Sequence, residues 1–270
     1  MTLIRFKMSN ILRHPYHLVD ESPWPLLSAF SVFFITTGIV CWFQLGNMTV
    51  INLGLLSLLI TAFQWWRDIS GEGSFQGRHS GVVELGLRWG MLLFIVSEVF
   101  FFLSFFWCYF HMRLSPSIDV GRRWAPFGIE VLNPIEIPLL NTVILVVSGI
   151  SITWSHHSLR EGNHRESILG LKITLFLGAL FTLLQGIEYI ETRFRIRDRV
   201  YGSVFFIATG FHGLHVIVGR IFLGCRLWRI RRGYFSPIHH FGFEARVWYW
   251  HFVDVVWLFL YLCIYWWGRL

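Results

Sequence analysis

Charge is what this chain has least of. Only 14% of its 270 residues are Asp, Glu, Lys or Arg, where a globular domain carries about a quarter. The apolar residues in their place, 54% of the total, come in long blocks rather than alternating with polar ones. A water-soluble domain is excluded and a polytopic membrane protein implied. Cysteine is scarce too: Cys41, Cys108, Cys225 and Cys263 all lie inside apolar segments with no paired spacing. Neither a disulfide framework nor a zinc site is expected. No nucleophile elbow, phosphate-binding glycine loop or zinc-protease motif occurs. The N-terminus, "MTLIRFKMSNILRHPYHLVDESPWP", lacks a separate apolar core and a small-residue cleavage site. The first span is therefore expected to direct insertion itself. The 23 basic residues outnumber 16 acidic ones, but they fall between apolar blocks rather than on one face, which argues against nucleic acid.

What is present fits a bilayer. A hydrocarbon core of roughly 30 Å needs about 20 helical residues, and seven segments qualify: 24–46, 48–65, 82–110, 136–158, 166–191, 201–228 and 240–267. The first two are almost contiguous and form a hairpin. The third should tilt or protrude, because it exceeds the hydrocarbon thickness. Loops are expected at 66–81, rich in glycine, and at 111–135, punctuated by Pro116, Pro126 and Pro134. Many of the fourteen tryptophans flank apolar runs, among them Trp24, Trp65, Trp66, Trp154, Trp228, Trp266 and Trp267, where indole favours the membrane interface. With the N-terminus inside, the inner side collects eleven basic residues (Arg5, Lys7, Arg13, Arg67, Arg78, Arg160, Arg165, Arg226, Arg229, Arg231, Arg232) against eight outside, which favours that orientation. The outer run "TRFRIRDR" opposes the trend; it is either a solvated charge run or a holder of a partner's acidic surface.

Ionisable groups inside spans cost about 2.5–3.5 kcal/mol each on the insertion scale, so each is a candidate for function. Glu98 stands alone within "LFIVSEVFFFLSFFW", residues 93–107. Hydrocarbon favours the neutral form of such a carboxyl; it can serve as a structural hydrogen-bond donor or exchange protons with a water path. Glu84 and Arg88, four apart, and His251 and Asp254, three apart, can each pair on one helical face. His212 and His215 share a face in "GFHGLHV", and His156–His157 and His239–His240 add further imidazoles. Haem or copper ligation needs several convergent ligands with an organised second shell, whereas Gly210 and Gly213 beside the pair equally suit close helix packing. Lys172 sits near a span end, a poor place for a retinal Schiff base.

At "HPYHLVDESPWP", "QWWRD", "GLRWGMLLFIVSEVFFFLSFFW" and "LNPIEIPLLNTVILVVSGISITWSHHSL" the chain closely resembles subunit III of the haem–copper cytochrome c oxidases, in its mitochondrial, animal form. "YGSVFFIATGFHGLHVIVG" and "HHFGFEARVWYWHFVDVVWLFLYLCIYWWG" continue the match, in order, from about residue 14 to the C-terminus.

The resemblance implies an all-α, seven-helix membrane protein in which a two-helix hairpin (24–65) and a five-helix bundle (82–270) diverge around a V-shaped lipid cleft. A matrix-side tail (1–23) and a loop (66–81) complete it, in the mitochondrial inner membrane. It implies no catalytic or metal-binding residue on this chain: haem a and copper belong to partner subunits of complex IV, which oxidises cytochrome c, reduces oxygen to water and pumps protons. Subunit I is the expected main partner, beside other oxidase subunits, membrane lipids and respiratory supercomplex contacts. Support of proton uptake and sustained turnover is the expected role. Glu98 matches the family's reactive membrane carboxylate, with His212 or His215 as its expected partner. Trp66, Glu72, His79 and Arg229 match phospholipid-binding positions. Gly71 departs from the usual arginine and Ala125 from a usual proline. A haem-binding redox protein and a seven-span receptor or transporter are the alternatives; the receptor would need an outside N-terminus, and the transporter internal pseudosymmetry.

Overall fold

The computed structural model describes residues 15–118, 121–231 and 241–269, and these form seven long helices with no strand among the described residues. In order they are α1 (Trp24–Leu45), α2 (Thr49–Ser74), α3 (Gly81–Leu114), α4 (Ile137–Arg160), α5 (His164–Glu191), α6 (Arg199–Arg231) and α7 (Phe241–Leu260), which continues as a π-helical segment, Tyr261–Trp267. All seven are long and apolar enough to cross a membrane. The chain divides into two compact units, one ending at Leu87 and one beginning at Arg88. His239, His240, Arg5, Lys7, Arg13, Arg232 and the first part of the N-terminal tail lie outside the described residues, as does the Arg231 side chain.

In the first unit, α1 turns into α2 through three residues. Gly46 adopts φ 67° and its N–H donates to the Trp42 carbonyl at 2.9 Å, a left-handed cap that glycine reaches without a Cβ penalty. The buried residues of the two helices are all small: Ser31 and Gly38 on α1, Gly54 and Thr61 on α2. A Cβ on Gly54 would lie 2.8 Å from the Ile35 nitrogen, and one on Gly38 would strike the Ile51 nitrogen. Ser57 Oγ donates to Ser31 Oγ at 2.9 Å. Bulky Phe33, Phe43 and Phe63 point outward instead. Lipid tails are as apolar as these side chains, so contact between membrane helices is won by close backbone approach rather than by hiding phenylalanines.

The loop expected over 66–81 is largely helix, since α2 runs on to Ser74. Its glycines do not end it, because a glycine inside a helix costs only about 1 kcal/mol relative to alanine. Asp68 secures this extension by accepting the Trp24 indole N–H at 2.7 Å.

In the second unit α4 and α5 pack through a stripe of serine, glycine and threonine. Ser151 and Thr174 hydroxyls lie 2.7 Å apart, Ser155 Oγ donates to the Ser167 carbonyl at 2.7 Å, and Gly170 leaves room for Ser155. Trp250 of α7 is fully buried where α4, α5 and α6 meet. Its indole N–H donates to Ser148 Oγ at 2.9 Å, and its ring fills the spaces left by Gly178 and Gly219. α3 reaches this bundle through long side chains: Tyr109 OH donates to the Cys263 carbonyl at 2.5 Å. That acceptor belongs to the π-helical segment, where the helical ladder is locally widened.

Candidate functional site

Glu98 projects from α3 into an aromatic collar of the second unit. Its Oε2 lies 2.9 Å from Nε2 of His215 on α6, and both side chains are mostly buried, at 22% and 12% exposure. The His215 ring is edge-on to Phe102 at 5.0 Å, with Phe101, Tyr249 and Phe252 around it. His215 Nδ1 lies 2.6 Å from the Phe211 carbonyl. A carbonyl only accepts, so Nδ1 carries a proton and donates. The contact between Nε2 and Oε2 then holds one further proton. Either a carboxylic acid donates to a neutral imidazole, or an imidazolium donates to a carboxylate. Both forms are neutral overall, which is how an ionisable pair is tolerated at membrane depth.

His212 takes a different part. It is buried, its Nε2–H donates to the Val253 carbonyl at 3.1 Å, and its ring packs against Phe181 and Trp257. Of the two imidazoles offered by "GFHGLHV", His215 faces the carboxyl and His212 pins α6 to α7.

A second polar cluster lies in the first unit, at the end of α2. Trp66 is 54% exposed there. Glu72 Oε2 lies 3.9 Å from His17 Nε2, and the His17 and His79 rings are 6.1 Å apart. The imidazole of His79 rests against Gly73, where a Cβ would approach it to 2.7 Å. Partial burial, and then the neighbouring His17, hold the His79 pKa below its ordinary value. Arg78 reaches Asp20 at 3.4 Å, and Ser80 Oγ donates to the Pro15 carbonyl at 2.6 Å, so the entering chain is tied along this end. Gly71 is open: a Cβ there meets nothing within 4 Å. Arg229 lies in the second unit, on α6.

The sequence model of a family described as cytochrome c oxidase subunit III matches residues 14–269. The chain belongs to the cytochrome c oxidase subunit III family. It is 59% identical over 262 residues to "Cytochrome c oxidase subunit 3" of Aedes aegypti, covering 97% of this chain and all of that protein. The protein of the same name from Tachyglossus aculeatus aculeatus is 59% identical over 255 residues, and that from Mus musculus 57%; each alignment covers 94% of this chain and 98% of the relative. The chain is thus a membrane-spanning, mitochondrial-type subunit of cytochrome c oxidase, a proton-pumping oxidoreductase.

Other ionisable residues of this subunit are placed by tertiary contacts that spacing along the chain does not reveal. Arg88 pairs with Glu244 of α7 at 3.1 Å, a contact that its four-residue spacing from Glu84 does not reveal. His251 and Asp254 do meet, at 3.7 Å, and His251 Nε2 lies 3.1 Å from Thr153 Oγ1 of α4. Glu188 of α5 is buried and accepts from Gln185 at 3.3 Å; Gln185 also donates to Tyr265 OH at 3.3 Å. Arg226 stacks over Phe243 at 4.7 Å. Lys172 is exposed. Among the described residues no group of three or more His, Cys, Asp or Glu side chains is arranged to hold a metal.

Proposed function

We propose that this subunit packs on subunit I in the mitochondrial inner membrane, its N-terminus on the matrix side, and supports proton uptake and sustained turnover. Haem a and copper are held by partner subunits, where cytochrome c is oxidised and oxygen reduced to water. The Glu98–His215 contact carries this reading. It is a neutral, one-proton pair set among aromatic rings, able to change which partner bears the proton without creating net charge in the membrane.

Glu98→Gln separates a proton-holding role from a purely structural one. Its amide donates to His215 Nε2, so the contact and packing survive while the exchangeable proton is gone. We expect the variant oxidase to assemble with an unchanged haem spectrum, yet to inactivate several-fold sooner under continuous turnover, with slower proton uptake. Equal turnover lifetime and equal uptake across the pH range would make the pair a structural hydrogen bond only.

Trp66, Glu72 and His79 form the phospholipid headgroup site of this proposal in the first unit, and Arg229 is a further cationic candidate in the second. An interfacial indole beside hydrogen-bonding groups is the chemistry a headgroup needs. The absent arginine at position 71 is not forced by packing, since a side chain there enters open space. Restoring it with Gly71→Arg should strengthen retention of an anionic phospholipid about fivefold, from roughly 1 kcal/mol per surface cation. Lipid mass spectrometry of the purified oxidase through a detergent-wash series reads this directly. Unchanged retention would remove the headgroup from this end of α2.

A further inference from the structure

We propose that the loop between α5 and α6 carries a carboxylate-binding pocket that receives an acidic side chain from a neighbouring oxidase subunit. Arg193, Arg195, Arg197 and Arg199 recur at every second residue between the ends of two membrane helices. A solvated charge run would splay, because like charges repel. This one is locked. The Asp198 carboxylate accepts the Arg195 backbone N–H at 2.6 Å. The N–H groups of Asp198 and Arg199 donate to the carbonyls of Arg195 and Arg197, each at 2.9 Å. Ser203 Oγ donates to the Ile196 carbonyl at 2.8 Å. A Cβ on Gly202 would strike the Arg195 carbonyl oxygen, so the loop lies directly on the first turn of α6. Buried Phe194 anchors it, its ring 5.2 Å from both Tyr201 and Phe205.

A cavity of about 380 Å³ opens between this locked loop and residues 127–129 of the α3–α4 connection, with Arg193, Arg197 and Arg199 on its wall. Arg193 is already engaged by Glu130 at 2.7 Å, and Asp198 is turned to its own loop. The Arg197 guanidinium has no hydrogen-bond or ion-pair partner among the described residues, although the residue lines the same cavity. A rigid guanidinium fork beside a cavity of side-chain size matches a carboxylate, which it can bind through two parallel N–H bonds. The apolar rings of Phe127 and Phe194 on the same wall suit the methylene stem behind that carboxylate. A phospholipid would lay its chains along a helix flank, whereas this cavity is walled by two connecting loops. Membership of a multisubunit oxidase makes a neighbouring subunit the nearest source of such a group.

The test uses the assembled oxidase carrying Arg197→Lys, which keeps the charge and supplies an amine. A water-soluble carbodiimide joins that amine to an adjacent carboxylate as an amide, the carbodiimide taking up the water released. An amide to an Asp or Glu of another subunit, found by peptide mass spectrometry, is expected. No amide at position 197, or one only to Glu130 or Asp198, would overturn the proposal. The unmodified oxidase gives a second measurement that needs no variant. Phenylglyoxal should modify Arg197 at least tenfold more slowly in the complex than in a synthetic peptide of residues 191–200. Equal rates would count against occupancy. Protection lost on lipid exchange, with every subunit retained, would assign the pocket to a headgroup instead and overturn the proposal equally.

Discussion

Trp250→Ala should cost the five-helix part of the molecule about 3–5 kcal/mol, the range for deleting a buried aromatic side chain. The ring is fully buried and touches three helices besides its own, through Ser148 of α4, Gly178 of α5 and Gly219 of α6. Two glycines facing one indole mean that the backbones of α5 and α6 have closed around it, so a smaller side chain leaves a void that neither can refill. In a bilayer the loss is mainly of dispersion contacts and cavity formation, since the exposed alternative is hydrocarbon rather than water. Ser148 also loses its donor, adding about 1 kcal/mol. Denaturant titration of the detergent-solubilised chain, followed by far-ultraviolet circular dichroism, measures the sum. Trp250→Phe isolates the hydrogen bond and should recover most of the loss. A cost under about 1 kcal/mol for the alanine variant would show that α5 and α6 are held together elsewhere.

That junction also marks where sequence reasoning stops. Seven apolar blocks separated by polar punctuation are visible in composition alone, because a bilayer demands length and hydrophobicity of each span independently. Glu98 is equally visible, as the one ionisable group in fifteen residues. Its partner is not. His212 and His215 lie three apart on one helix, and only the positions of α7 and α3 decide that the first meets the Val253 carbonyl and the second the Glu98 carboxyl. Arg88 is a similar case: its four-residue spacing from Glu84 suggests a local pair, while Glu244, far away in the chain, stands 3.1 Å from it. The end of α2 was hidden for another reason. Gly71 and Gly73 resemble loop punctuation, but one is an open helical position and the other is bare so that His79 can lie against it.

Alanine at Gly38 and at Gly71 should act in opposite directions, although both positions are helical. Intrinsic propensity favours alanine over glycine by about 1 kcal/mol at each. At Gly71 nothing lies within 4 Å of the new methyl, so that preference stands and the variant should be neutral or slightly more stable. At Gly38 the methyl meets the Ile51 backbone, with the Cα at 2.7 Å, and no flexible side-chain end can give way. α1 and α2 must part, at a cost of about 1–3 kcal/mol for overpacking. Separation weakens the Ser31–Ser57 hydroxyl contact in the middle of the hairpin and the Trp24–Asp68 bond at the far end of α2. The second of these steadies the stretch that carries Trp66 and Glu72. Gly38→Ala should therefore lower phospholipid retention in the purified oxidase several-fold without touching a headgroup ligand, while Gly71→Ala leaves it unchanged. If both variants retain lipid like the parent, the close crossing of α1 and α2 does not support the proposed headgroup site, and that site must hold its ligand through local contacts alone.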